Sequence, residues 1–313
     1  MRKTILAYGE VLWDLLPGGP LLGGAPLNFA YRVNCLGDRG IMASRLGEDE
    51  LGRNARRTMD ELGMDISLMQ HDADRPTGTV PVTLDERGNP DFVIIPDVAY
   101  DYIEPTAELL QSAGQADCIC FGTLIQRTAT SRRTLGQILD AGAGVLKLLD
   151  INFRRDCYTH ETILDSLQRA DVLKCNDDEA AELAAMFDMG DVGVASFCDL
   201  AMARWSLRAC VVTLGERGAL AASADGEKLY APGYACEVID TCGAGDAFTA
   251  GFACRLLRGR SLADCCELGN AVGAMVASQR GATTPITPEQ VDRFLADAPP
   301  RTSEPSLERF ING

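Results

Sequence analysis

Short apolar runs alternate with amphipathic helical patterns along most of this chain, and no other feature constrains its fold as strongly. In segment 28–36, Phe29, Val33 and Leu36 fall on one helical face, and Gly37 ends the pattern. The runs typical of buried strands are 5–8, 118–121, 145–149, 171–175 and 209–214. Such alternation favours a mostly parallel sheet with helices on both faces, so we predict an α/β fold.

Two segments depart from this alternation. Segment 12–24 contains Pro and Gly without a helical period, and segment 77–95 alternates apolar and polar residues around a turn at 85–89, as a β-hairpin does. We interpret both as parts of a small β-strand lid inserted into the larger domain; an ordinary surface hairpin is the alternative. The predicted lid comprises residues 10–24 and 77–98, and the larger α/β domain comprises 1–9, 25–76 and 99–313.

The net charge restricts the kinds of molecule that this protein is expected to bind. Acidic residues outnumber basic ones by 45 to 29, which gives a formal charge of −16 and a field that repels nucleic acid and anionic membranes. No apolar run approaches the roughly 20 residues of a membrane-spanning helix. We therefore expect small-molecule partners, with no nucleic acid and no membrane.

Cysteine and histidine usage argues against several kinds of site. The 12 cysteines form no Cys-x-x-Cys pair and are scattered through apolar segments, so we expect reduced core cysteines of a cytoplasmic protein. The two histidines, His71 and His160, lie in polar segments typical of loops. A Ser-His-Asp triad or a multi-histidine metal site is therefore not expected, and proton transfer falls to a carboxylate.

Two common nucleotide motifs are absent from the sequence. No Lys follows a Gly, so there is no Walker A loop, and no Gly-x-Gly-x-x-Gly fingerprint occurs. A reductase on a parallel sheet therefore loses its main support.

The run Gly-Ala-Gly-Asp at 243–246 opens a helical pattern over 247–257. Small residues let the backbone approach a ligand closely, and unpaired N–H groups at a helix start suit phosphate oxygens. Asp246 falls in the first turn, where a carboxylate can take a proton from a hydroxyl. The alternative is that Asp246 is only a helix N-cap.

Two separated motifs together resemble the paired signatures of the PfkB (ribokinase-like) family of carbohydrate kinases. They are Gly-Gly-Ala-Pro-Leu-Asn at 23–28 and Asp-Thr-Cys-Gly-Ala-Gly-Asp at 240–246. Further similarities are Asn-Asp-Asp-Glu at 176–179, Thr-Leu-Gly-Glu-Arg-Gly at 213–218 and Asp-Ile-Asn-Phe-Arg at 150–154. The resemblance runs from residue 4 to about 290. It implies a ribokinase-like three-layer α/β/α sandwich and ATP-dependent phosphorylation of a sugar hydroxyl.

The resemblance also implies roles for individual residues. Asp246 is the expected base, and the backbone amides of Gly243, Ala244, Gly245 and Asp246 form the expected anion hole for the phosphoryl group. The expected nucleotide-binding residues are Asn176, Glu179, Thr213, Gly215, Gly218 and Asn270. Mg²⁺ is expected at Glu179 through water, since Mg²⁺ tends to keep several waters. Residues 176–179 also have the pattern of a capping box, and both interpretations can hold together.

A monovalent cation such as K⁺ is a further expectation from the family. Asp240 and carbonyls near 277–281 would supply its ligands. For the sugar, Asp14, Gly24 and Asn28 fall at the family's substrate positions, and carboxylate and amide groups suit hydroxyls because they accept and donate hydrogen bonds. Arg154 is expected to meet the γ-phosphate or a substrate oxygen, with a surface role as the alternative.

The choice of sugar is left open between several candidates. Segments 9–14 and 22–30 resemble bacterial fructokinases more than ribokinases, which usually carry Lys where this chain has Ala25 or Pro26. Fructose, giving fructose 6-phosphate, is therefore the leading substrate; 2-keto-3-deoxygluconate, ribose or a nucleoside are the alternatives. Phosphorylated sugars are disfavoured, because the pocket segments hold few basic residues.

Three other expectations complete the sequence interpretation. A non-catalytic sugar or nucleotide sensor would lack the base or the anion hole, whereas this chain has the residues for both. A homodimer through the lid strands is expected, because an exposed strand edge is better covered. Arg32 and Arg127 are assigned to the surface.

Overall fold

The computed structural model describes residues 1–16, 18–84 and 90–311, without the side chains of 82–84 and 90–92. The strands are β1 (Thr4–Tyr8), β2 (Leu12–Leu16), β3 (Gly19–Gly23), β4 (Arg39–Gly47), β5 (Asp65–Asp72), β6 (Gly78–Leu84), β7 (Pro90–Phe92), β8 (Cys118–Phe121), β9 (Leu146–Asp150), β10 (Val172–Asn176), β11 (Ala209–Thr213), β12 (Ala219–Ser223), β13 (Lys228–Ala231), β14 (Gly233–Tyr234) and β15 (Arg301–Thr302). The α-helices are α1 (Ala25–Cys35), α2 (Glu50–Glu61), α3 (Ala107–Gln115), α4 (Ala129–Ala141), α5 (His160–Arg169), α6 (Asp177–Met186), α7 (Val194–Trp205), α8 (Ala244–Leu256), α9 (Leu262–Ala277) and α10 (Pro288–Ala296).

A nine-stranded sheet forms the centre of the fold, in the order β13-β12-β11-β10-β9-β8-β1-β4-β5. The strands from β11 to β5 are parallel, and β12 and β13 are antiparallel to their neighbours. Side chains alternate between the two faces: Leu6 and Tyr8 join one apolar cluster, and Ile5 and Ala7 join the other. The predicted three-layer α/β/α sandwich is therefore confirmed.

Each face of the sheet is covered by its own set of helices. Buried residues of α3, α4, α5, α6 and α7 join the cluster that contains Leu6, and buried residues of α1, α2, α8 and α9 join the cluster that contains Ile5. The helix patterns read at 28–36 and 247–257 match α1 and α8 to within a few residues, because an amphipathic stripe records the side that faces the sheet.

The chain reverses its winding direction between β1 and β8. From β1 it proceeds to β4 and β5 at one edge, whereas from β8 it proceeds to β9, β10 and β11 in the opposite direction. The connections after β1 and β8 therefore diverge at the carboxyl edge of the sheet and leave a crevice there. The loops after β1, β8 and β9 border this crevice.

A separate four-stranded sheet, β3-β2-β6-β7, forms the small lid. β2 follows β1 and β6 follows β5, so both lid strands leave the carboxyl edge of the parallel sheet in the same direction and pair in parallel. The pairs β2–β3 and β6–β7 are antiparallel. The β6–β7 pair agrees with the predicted hairpin, whose turn at 85–89 lies outside the described residues. The exact lid boundaries remain a prediction.

Two arginines assigned to the surface are not exposed, since Arg32 is buried and Arg127 is part-buried, so that prediction was wrong. Arg32 on α1 is 0% exposed and donates from Nη2 to the carbonyls of Ala282 and Thr284, each at 3.0 Å. Arg127 pairs with the buried Asp101, with Nε 2.7 Å from Oδ1. The helical period marks one buried face, but α1 packs against both β4 and α8, so its outer face is covered as well.

The histidines and cysteines differ in how well they match expectation. His71 lies on β5 and His160 begins α5, so the loop assignment was wrong, although both side chains are exposed. All 12 cysteines are free, and most are buried, as expected for core thiols. Within the described residues, no helix is both long and apolar enough to span a membrane.

Candidate active site

The turn before α8 is shaped by Gly243. This residue is the N-cap of α8 with φ 74°, and an added Cβ would lie 2.3 Å from Cβ of Ala282. Both the backbone conformation and the contact therefore require glycine. Among the described residues, the N–H groups of Gly245 and Asp246 have no backbone hydrogen-bond partner outside the helix. These N–H groups, at the positive end of α8, are available to an anion.

Asp246 lies in the first turn of α8 and contacts α1. Asn28 donates from Nδ2 to Oδ2 of Asp246 at 2.9 Å. Burial, aided by the carboxylate of Asp150, raises the pKa of Asp246 to about 6, although Asn28, Lys174 and Arg154 act in the opposite direction. Because Gly243 is the N-cap, the alternative that Asp246 serves only as an N-cap is wrong.

Gly24 and Asn28 lie at the start of α1, which directly follows lid strand β3. Gly24 precedes α1 with φ 118°, and an added Cβ would lie 2.4 Å from the carbonyl oxygen of Glu10. Asn28 is 6% exposed, and its Oδ1 accepts no hydrogen bond from any described residue. A buried acceptor without a donor is costly, and a ligand hydroxyl would satisfy it.

A small cavity opens at the crevice between β1 and β8. Its lining includes the sequence-predicted Arg154, which is exposed and whose charge lowers the pKa of Asp14, Glu10 and Asp246. Asp14, on β2, is half-buried, and burial raises its pKa. Of the predicted sugar-binding residues, Arg154 lines this cavity, whereas Asp14, Gly24 and Asn28 are not part of its lining.

Glu10 also lines this cavity, and sequence reasoning missed it. Burial raises the pKa of Glu10 to about 7, and its Oε1 accepts a hydrogen bond from the backbone N–H of Ala25 at 3.2 Å. The available signal was its position, directly after the first strand of a parallel sheet, where ligands bind.

A second, larger cavity, of about 280 Å³, borders the turn that carries Ala244 and Gly245. Its lining includes four of the predicted nucleotide residues, Thr213, Gly215, Gly218 and Asn270, together with Ala244 and Gly245 of the turn. Apolar residues complete it, among them Val238, Phe248, Ala274 and Ala277. An apolar cavity with a phosphate-suited helix start at one end fits a nucleotide.

Two of these residues also hold the cavity wall in place. Gly218 has φ 95°, and an added Cβ would lie 2.1 Å from the carbonyl oxygen of Ala231. Asn270 is buried on α9 and donates from Nδ2 to the carbonyls of Ala231 and Pro232 at 3.0 and 3.2 Å. The amide of Asn270 therefore anchors the end of β13.

Asn176 and Glu179 form a capping box at the start of α6, and they do not border the second cavity. Glu179 accepts hydrogen bonds from the backbone N–H of Asn176 at 2.8 Å and of Phe153 at 2.9 Å. Both carboxylate oxygens thus have backbone partners, and burial raises the pKa of Glu179. The described residues contain no group of three or more His, Cys, Asp or Glu that could hold a metal ion.

Asp240 joins the two segments that the sequence paired for a monovalent cation. Its Oδ1 accepts from the N–H of Cys242 and its Oδ2 from the N–H of Gly281, each at 3.0 Å. The carbonyl of Ala277 accepts from the N–H groups of Ile239 and Asp240. The two segments are therefore adjacent, and cation binding there remains a prediction.

A buried ion pair beneath the turn was also missed by sequence reasoning. Lys174 Nζ lies 3.0 Å from Asp150 Oδ1, and Thr249 on α8 donates to Asp150 Oδ2 at 2.8 Å. The available signal was a lysine between the apolar residues Leu173 and Cys175 of the predicted strand 171–175.

The fold and the site define an α/β enzyme with adjacent cavities for two small molecules. The sequence matches the pfkB family carbohydrate kinases over residues 21–290. The chain therefore belongs to the pfkB family and is a carbohydrate kinase.

Individual relatives extend over nearly the whole chain. A fructokinase of Klebsiella pneumoniae is 31% identical over 305 residues, which covers 91% of this chain and 97% of the relative. An aminoimidazole riboside kinase of Salmonella typhimurium is 30% identical and covers 88% of each chain. The structure of a fructokinase from Vibrio cholerae O395, with fructose, ADP and calcium bound, has a TM-score of 0.80 and 26% identity, and it covers 94% of this chain and 99% of that one.

Proposed function

We propose that this kinase transfers the γ-phosphate of ATP to a hydroxyl of free fructose, giving fructose 6-phosphate, with Asp246 as the base. The observation that carries this proposal is the hydrogen bond from Asn28 to Asp246. It brings together a part-buried carboxylate, an amide oxygen without a hydrogen-bond partner and the N-terminus of α8, whose Ala244 and Gly245 line the second cavity.

Asp246 has the properties of a general base for a hydroxyl. A pKa of about 6 leaves the carboxylate ionised at neutral pH, yet more basic than an ordinary Asp. Asn28 Nδ2 holds one carboxylate oxygen in place, and Asn28 Oδ1 is free to accept from a sugar hydroxyl. Sugar binding would thus orient the hydroxyl and satisfy the buried oxygen together.

The turn 243–246 supplies the phosphate site. The N–H groups of Gly245 and Asp246 would face the transferring phosphoryl group, where fixed dipoles stabilise developing negative charge. Of the other two predicted amides, that of Ala244 already donates to the carbonyl of Thr241 at 3.2 Å, so Gly243 is the remaining candidate. ATP would occupy the larger cavity along Thr213, Gly215, Gly218 and Asn270. The ADP in the 26%-identical Vibrio cholerae fructokinase supports this assignment.

Mg²⁺ fits this site as an ion bound mainly by phosphates and water. The described residues offer no carboxylate cluster, and both oxygens of Glu179 accept from backbone amides, which matches a role for Glu179 through water. Bound there, Mg²⁺ would neutralise phosphate charge. A monovalent cation near Asp240 is supported by a potassium-bound Vibrio cholerae fructokinase of 25% identity.

The choice of fructose is supported by the relatives together with the polar side chains at the predicted sugar positions. Fructokinases of 31% and 29% identity match over most of the chain, and Asp14, Asn28 and Arg154 offer both acceptors and donors to hydroxyls. A riboside is the second candidate, because the 30%-identical aminoimidazole riboside kinase covers the same region. Discrimination between them depends on a few hydroxyl contacts.

The test is ADP release from ATP and Mg²⁺ with a panel of acceptors: fructose, 2-keto-3-deoxygluconate, ribose and aminoimidazole riboside. We expect the highest kcat/KM with fructose, a 6-phosphate product by NMR, and a loss of about 10²- to 10⁴-fold in Asp246→Asn. A higher kcat/KM with the riboside would replace fructose as substrate. No turnover with any acceptor would favour a sensor, and an unaffected Asp246→Asn enzyme would exclude Asp246 as the base.

We also propose a cytoplasmic homodimer that pairs through the lid. Leu15 and Leu21 are exposed on β2 and β3, and β3 is an edge strand of the lid sheet. Covering this edge in a second copy would bury Leu21, whereas Leu15, which pairs with Pro20, lies on the opposite face of the lid sheet. Light scattering at micromolar concentration checks the assembly, and a monomer there contradicts it.

A further inference from the structure

An ion pair lies within the apolar layer between the central sheet and α8. Lys174 on β10 and Asp150 on β9 are partners in the register of adjacent parallel strands, with Nζ 3.0 Å from Oδ1. Two residues earlier on the same face, Val172 and Leu148 belong to the apolar cluster that α8 covers. The charged pair thus replaces apolar side chains beneath the N-terminus of α8.

Thr249 connects this pair to the phosphate-binding turn. Its hydroxyl lies 2.8 Å from Asp150 Oδ2 and 3.0 Å from the carbonyl oxygen of Gly245. The single hydroxyl hydrogen can be donated to only one of these acceptors at a time. An added Cβ on Gly245 would lie 3.4 Å from Lys174 Nζ, so the ammonium group lies directly against the turn.

The ammonium group of Lys174 lies among several carboxylates. Burial lowers the pKa of Lys174, but Asp150, Glu179 and Asp246 raise it by more, so the side chain stays charged. In turn, Lys174 lowers the pKa of both Glu179 and Asp246. The titratable and charged groups that face Asp246 are Glu10, Cys120, Asp150, Arg154, Lys174 and Cys242.

Fold stability alone does not require charges at this position. A buried ion pair is often no more stabilising than apolar side chains of similar volume, whereas removing one partner leaves an uncompensated buried charge. The pair lies where the proposed reaction places its base and its phosphoryl group. Its position therefore points to a role in the site.

We propose that Lys174, through Asp150 and Thr249, is a positioning residue that fixes the turn 243–246 and supplies positive charge to it from inside the fold. Lys174 touches neither substrate, since it is buried behind the turn. Its role in phosphoryl transfer rests on the proposed function of Asp246 as base.

The experiment compares Lys174→Met, Asp150→Asn and the double variant with wild type. The readouts are the pH profile of kcat/KM and an NMR titration of the Asp246 carboxyl, which needs no turnover. We expect Lys174→Met to raise the midpoint pH of the Asp246 titration by about one pH unit, and Asp150→Asn to lower this midpoint. The double variant should lie near wild type. Lys147→Met, on the same strand as Asp150 but part-exposed, is the matched control and should leave the midpoint unchanged.

The comparison stays decisive if Lys174→Met alone does not fold. The double variant is then compared with Asp150→Asn alone. Its Asp246 titration must have a midpoint about one pH unit higher. A folded variant without Lys174 whose midpoint equals that of its parent would overturn the proposal. Shifted midpoints in a protein that phosphorylates none of the acceptors would retain the network and reject the kinase assignment of the site.

Discussion

Asn28 on α1 donates a hydrogen bond from Nδ2 to Oδ2 of Asp246 on α8, across 218 residues of sequence. Both residues belong to motifs that the sequence singled out separately, and the fold makes them one unit. The Oδ1 of Asn28 has no hydrogen-bond partner, so the amide that holds Asp246 can also accept a hydrogen bond from a sugar hydroxyl.

Replacing Asn28 tests this unit. In Asn28→Ala we expect kcat/KM for the sugar to fall about 10- to 100-fold, as for loss of a hydrogen bond to a charged group. The acidic limb of the pH profile should also move upward, because Asn28 lowers the pKa of Asp246. Steady-state kinetics across pH measures both effects. Asn54→Ala, on the surface of α2, is the control; equal losses in the two variants would contradict the assignment.

Gly243 gives a prediction about the turn itself. In Gly243→Ala the new methyl must adopt φ 74° and clash with Ala282, so we expect destabilisation of more than about 1 kcal/mol and a large loss of kcat. Gly259 has φ 63° and open space around it, so Gly259→Ala carries the backbone cost without the clash. Stability in urea and kcat should both be lower in Gly243→Ala than in Gly259→Ala. Equal values for the two variants would exclude a role for the contact with Ala282.

The pKa of Asp246 predicts the pH dependence of the reaction. Asp246 accepts a proton only when ionised, so kcat/KM should fall about tenfold per pH unit below its pKa of about 6 and level off above pH 7. Protonation of Glu10, whose pKa is about 7, is the alternative cause of such a fall in kcat/KM at low pH. The fall should persist in Glu10→Gln. Its disappearance in that variant would assign the titration to Glu10.

The buried pair of Arg127 and Asp101 gives a prediction about stability alone. Arg127→Met leaves the fully buried carboxylate of Asp101 without its partner and should reduce the free energy of unfolding by about 3–5 kcal/mol. Arg39→Met breaks the exposed pair with Asp65 and should change it by less than about 1 kcal/mol. Urea denaturation measures both. Adding Asp101→Asn to Arg127→Met should recover part of the loss, and no recovery would contradict the charge argument.

Much of the fold was predictable because it is encoded locally. The strands read at 118–121 and 209–214 correspond to β8 and β11, and the helix read at 247–257 corresponds to α8. Side-chain period and glycine positions record these elements within a few neighbouring residues. The same local pattern marked the helix start that carries Asp246.

The missed residues have a common physical cause. The burial of Lys174 depends on Asp150 in the next strand, and the burial of Arg32 depends on the loop that contains Ala282. A charged side chain is ordinarily exposed, because its burial costs free energy. Only a partner that the fold brings close offsets this cost. Local patterns hold no information about such a partner.

The sequence by itself determined the α/β architecture, the order of its elements and the placement of Asp246 in the first turn of a helix. The tertiary structure alone decided that Asn28 reaches Asp246, that Glu10 lines the first cavity and that Lys174 lies beneath the turn. The reason is that periodicity specifies which side of an element faces the core. Strand order and helix packing specify which residues of other elements contact that side.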